Sequence, residues 1–130
     1  MLWSNPEVIY YIDIDNDRAL PEYAPRDEFE HLMAKGELEI TEDPHINISM
    51  TFPVSGSKSE DIQNRAWNAI QDAISAEPDV YVKKQRGQLL TQAMEKSGAT
   101  KQTIYRWFRR YWQLGMCKNT LMDNIIVVVA

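Results

Sequence analysis

Ser97-Gly98-Ala99-Thr100-Lys101-Gln102-Thr103-Ile104-Tyr105-Arg106-Trp107-Phe108-Arg109-Arg110-Tyr111 is the stretch that decides how this chain is read. Glycine accepts the left-handed backbone that a sharp corner needs, so Ser97-Gly98-Ala99 predicts a turn. Thr100 is a natural N-cap for a helix starting at Lys101. Ile104, Phe108 and Tyr111 then recur at i, i+4 and i+7 with Trp107 beside them, which predicts a helix with one buried stripe. Upstream, Leu89, Leu90, Ala93 and Met94 form the apolar face of an earlier helix over 82–96. Residues 82–113 therefore predict a helix-turn-helix.

The face opposite the buried stripe carries the chemistry. Lys101, Gln102, Thr103, Tyr105, Arg106, Arg109 and Arg110 leave the apolar stripe and are expected to face outward. In a DNA-binding helix-turn-helix the second helix enters the major groove and its N-terminal residues meet base edges. Gln102 and Arg106 suit adenine and guanine edges, and Thr103 stands beside them as a third base candidate. Lys101, Arg109 and Arg110 suit phosphates, as do Lys83 and Lys84 at the start of the first helix, where Arg86 also lies.

Charge supports this reading. The chain of 130 residues has a formal net charge of -5, but the mean hides a division. Residues 1–80 hold 17 acids against 5 bases, whereas residues 81–118 hold 9 bases against the single acid Glu95. Such asymmetry points to a nucleic-acid-binding segment on an acidic body. A merely solvated surface usually mixes the two signs. The competing readings are a structural hairpin, a protein-interaction module docking an acidic partner, and a transcriptional regulator. Self-association stays open beside them.

The remaining chain predicts an α+β fold, a small strand-helix-strand unit over 1–53 ahead of a helical domain over 59–121. Val8-Ile9-Tyr10-Tyr11-Ile12-Asp13-Ile14 reads as a strand that Asp15-Asn16-Asp17 ends. Leu20-Pro21 and Ala24-Pro25 hold the chain extended. Phe29, Leu32 and Met33 give a helix over 27–35 that Gly36 terminates. Glu37-Leu38-Glu39-Ile40 and the run Ile46, Ile48, Met50, Phe52 alternate as half-buried strands. Residues 54–58 read as a linker, and Ser57 with Glu60 forms a capping-box signature for a helix carrying Ile62, Ala66, Ala69, Ile70, Ala73 and Ile74 on one stripe. The tail 122–130 is apolar and β-prone, with no role that the sequence assigns.

Other chemistries find little support. Asp13, Asp15 and Asp17 open like a calcium loop, but Arg18 and Ala24 hold the positions where glycine and glutamate are required. His31, His45 and Cys117 match no zinc spacing, so neither a metal nor a cofactor is expected. No catalytic residue is expected, and no nucleophile elbow or phosphate loop is found. Trp67, Trp107 and Trp112 lie by apolar stripes and read as core. A single cysteine, no signal-peptide pattern and no membrane-length apolar run predict a cytoplasmic protein.

The run from Ser97 through Gly115, above all Arg109-Arg110-Tyr111-Trp112-Gln113 with Gly115, Asn119 and Leu121, resembles the N-terminal DNA-binding region of TnsB/TniA-type transposases. These are relatives of the phage Mu transposase and the retroviral integrases. The strand, Leu20-Pro21, the Arg26-led helix, Gly36 and Asp43-Pro44 fit the same pattern, so the resemblance spans most of 8–121. It implies binding to repeats at transposon ends, in the company of other transposition proteins. Strand cleavage and joining belong in that family to a downstream RNase H-like core, which this sequence does not contain. A chain complete in this form is expected to occupy transposon ends without cutting them.

Overall fold

The computed structural model describes residues 1–39 and 52–121. Three short strands open the chain: β1 (Trp3–Ser4), β2 (Val8–Tyr11) and β3 (Glu22–Pro25), antiparallel in the order β1-β2-β3. Asn5 makes the first turn, its side-chain oxygen accepting the Glu7 and Val8 amides at 2.8 Å each. Trp3 then pairs with Tyr10, and Tyr10 with Tyr23 across the sheet. β2 stops at Tyr11, short of the expected Ile14. Beyond it the Asp13 and Asn16 side chains accept the Asp15 and Arg18 amides, so turn geometry replaces the ladder. Pro25 is tolerated because β3 is an edge strand.

Helix α1 (Arg26–Ala34) comes next without a break, with Asp27 and Glu28 in its first turn. Its Phe29 packs on Tyr11 of the sheet, with ring centroids 5.4 Å apart. Gly36 takes φ 75° after it. The strand expected from Glu37 is a bend over 37–38. The Glu37 and Leu38 amides turn back to the Leu32 carbonyl at 3.0 and 3.4 Å, closing the helix end instead of joining a sheet. Phe52 lies outside any strand and is exposed. The rest of the alternating run, His45 and the tail 122–130 lie outside the described residues.

The helical part begins at α2 (Lys58–Ser75), whose Ser57 cap accepts the Glu60 amide at 3.2 Å while Glu60 accepts from Gly56. Buried Ala66, Ala69 and Ala73 leave room for α3 (Lys83–Ser97), which brings Leu90 and Ala93 to the same core. Gly98 ends α3 at φ 71°, its amide bonded to the Met94 carbonyl at 2.8 Å. Thr100 caps α4 (Lys101–Leu114) by accepting the Thr103 amide. A 3-10 turn, Lys118–Leu121, closes over α2, where the Gln63 amide reaches Asn119 Oδ1 at 3.0 Å.

All of this meets on α4. Ile104, Trp107, Phe108, Tyr111 and Trp112 are buried, and Phe108 stacks on Trp112 with centroids 5.1 Å apart. Each such side chain contributes about 1.5–3 kcal/mol of burial. Leu2, Ile12 and Ala19 of the N-terminal unit belong to the same apolar cluster, so sheet and helices share one core. Trp3, Tyr10, Tyr81 and Trp112 form a chain of ring contacts across that junction. Burial pushes the Tyr81 phenol well up, and so does its hydrogen bond to the Glu77 carboxylate. Tyr111 moves the same way, chiefly through burial and then through Glu77.

Candidate nucleic-acid interface

The two helices around Gly98 are built differently at their starts from the two before them. Asp27 and Glu28 open α1, and Glu60 and Asp61 open α2, where the positive end of the helix dipole favours them. Neither α3 nor α4 has an acid in its first turn. α3 opens instead on Lys83 and Lys84, after Val82, which supplies no side-chain cap. Lys101 opens α4. Cations at that end repel the dipole by about 0.3–1 kcal/mol each. The arrangement is unfavourable for an isolated helix and favourable for one that receives an anion.

Of the eight residues expected at the interface, Lys83, Lys84, Lys101, Gln102 and Arg106 are exposed. Arg86 Nε donates to the Tyr105 hydroxyl at 3.4 Å, which sets the first turn of α3, with Lys83 and Lys84, beside the second turn of α4. Thr103 is half-buried on the opposite flank, its hydroxyl bonded to Thr100 at 3.1 Å. Gln102 and Arg106 lie between these flanks.

Arg109 and Arg110 differ from the outward, solvent-facing placement expected of them. Arg109 Nε donates to the Ala19 carbonyl at 2.9 Å, and its guanidinium lies 5.4 Å from the Tyr105 ring centroid. Gln113, one turn on, donates to the carbonyls of Asp13 and Asn16 at 2.9 and 2.6 Å. The loop after β2 therefore covers the C-terminal half of the outer face of α4. Arg110 Nε donates to the Thr120 carbonyl at 3.1 Å. Arg86 is 3 % exposed and donates to the Val80 carbonyl, so it braces the helices and does not reach outward. In each case a nearby carbonyl or hydroxyl attracts the guanidinium, information that one helix's periodicity does not hold.

Sequence reasoning missed Arg65. It lies exposed on α2 and lines an open groove with Ile62, Thr100, Thr103, Arg106 and Trp107. Its i+3 spacing from Ile62 was the available signal, but its place in the acidic half masked it. No cluster of three metal-binding side chains occurs among the described residues, and no helix there is long and apolar enough to cross a membrane.

Residues 1–44 match the family model described as the TnsB N-terminal SH3-like domain, and residues 63–124 match the TnsB second domain. The chain is also similar to the Transposon Tn7 transposition protein TnsB of Escherichia coli, at 25% identity over 116 residues. That alignment takes in 89% of this chain and 16% of the other protein.

Proposed function

Because the chain belongs to the TnsB family, through that family's N-terminal and second domains, we propose that it binds double-stranded DNA in a sequence-specific way at transposon-end repeats. α3 and α4 act as a helix-turn-helix, with α4 in the major groove. Gln102 and Arg106 read base edges, with Thr103 at their margin, and Lys101, Lys83 and Lys84 meet phosphates. Arg109 and Arg110 fix the shape of the surface. Strand cleavage and joining form no part of this role.

The observation that carries the reading is the bare N-terminal half of α4. Gln102 and Arg106 are exposed there, cations flank them, and no acid occupies the first turn of either helix. The C-terminal half of the same face is already occupied by the 13–19 loop. What remains for DNA is the portion of a recognition helix that usually contacts bases.

Arg106→Ala tests it in equilibrium titrations against duplexes differing at single positions. The substitution should cost about 1–3 kcal/mol and relax preference at one base position. Unchanged affinity and unchanged preference would show that α4 does not face the bases.

A further inference from the structure

The groove between α2 and the start of α4 differs from its neighbours in charge. The groove between α2 and α3 holds Asp72 and Lys96, which pair at 3.2 Å, and the one beside Cys117 includes Glu60. The α2–α4 groove has Arg65 and Arg106 in its lining and no carboxylate. Arg65 forms no ion pair among the described residues, although Asp61 stands one turn before it on α2. An exposed guanidinium in a site lined by apolar and hydroxyl groups has its donors free for an anion.

We infer that Arg65 seats a backbone phosphate of the DNA strand running along the α2 side of α4, an inference that rests on the reading of α4 as the recognition helix. A helix with side chains is about 10–12 Å across and the major groove is about 12 Å wide, so groups beside an inserted helix meet the phosphate walls. On one side of α4, Arg86 and Tyr105 bring up Lys83 and Lys84. On the other, the groove shared with Thr103 and Arg106 brings up Arg65. Each wall thus receives a cation. Thr100 Oγ1 accepts the Thr103 amide and donates to Thr103 Oγ1, so the Thr103 hydroxyl proton remains to donate to the same phosphate.

The test uses the full chain with Arg65→Gln, Arg65→Lys and Arg106→Ala, titrated against duplexes of randomised sequence and against duplexes enriched from them, over a salt series. One lost phosphate contact lowers the salt slope by about 0.9 and the affinity roughly 4- to 8-fold between 0.2 and 0.1 M salt. Arg65→Gln should do this equally for every duplex and leave the base preference and thermal midpoint unchanged. Arg65→Lys should recover most of the loss. A wild-type slope in Arg65→Gln, beside altered preference in Arg106→Ala, would overturn the phosphate seat alone. No duplex binding by the wild-type chain would overturn the recognition-helix reading and this inference with it.

Discussion

Arg109→Ala separates a bracing arginine from a phosphate-binding one. The guanidinium makes one good charge-assisted hydrogen bond, 2.9 Å to the Ala19 carbonyl, and a long one of 3.5 Å to the Arg18 carbonyl. A buried bond of the first kind contributes about 1.5–3 kcal/mol, and the partial exposure of Arg109 reduces that to about 1–2. The second adds little at its length. The contact with the Tyr105 ring at 5.4 Å adds about 0.5 kcal/mol. The total loss is about 1.5–2.5 kcal/mol, and a domain of this size loses roughly 3–5 °C of thermal midpoint for each kcal/mol. Calorimetric unfolding should therefore show a drop of roughly 5–12 °C. The salt slope of DNA binding should stay at its wild-type value. An unchanged midpoint with a slope lowered by about 1 would refute the reasoning and make Arg109 a phosphate contact.

The other predictions concern helix starts and the buried phenols. Lys84→Ala removes a cation from the positive end of α3, so it should raise stability by about 0.3–1 kcal/mol while lowering the DNA salt slope by about 1; denaturant unfolding and binding titrations read the two opposite signs. Tyr81 and Tyr111 have their phenols raised above the ordinary 10.0, which means that the folded state holds those protons more tightly than the unfolded chain does. That stability is fully present below pH 10.0 and is lost as pH rises beyond it, so the unfolding midpoint should fall in alkali. Tyr81→Phe should flatten this fall, and an alkaline slope equal to wild type would show that the Tyr81 phenol is not held in this way.

The helices around Gly98 were legible because each signal there is local. A glycine at φ 71°, a threonine cap and an apolar period all act within a few residues. The Ser57 cap of α2 was legible for the same reason. What was not legible depended on partners distant in sequence. Arg109 finds Ala19 and Gln113 finds Asp13 only once the sheet docks on α4. Arg65 gains its meaning from a groove that α4 completes. Arg86 reads with Lys83 and Lys84 as part of the basic start of the first helix until the Val80 carbonyl and Tyr105 hydroxyl close around it. Glu37-Leu38-Glu39 alternates as a strand would, yet the Leu32 carbonyl at the helix end captures two of its amides. Periodicity locates a helix face correctly and leaves open which neighbour covers that face.

The most direct measurement is selection of bound duplexes from a randomised pool at about physiological salt, run in parallel on the wild-type chain and on Arg106→Ala. An enriched motif is expected for the wild type, and the same motif with one position relaxed for the variant. An unenriched pool recovered with the wild-type chain would mean that charge alone holds the DNA, and would contradict base reading by α4.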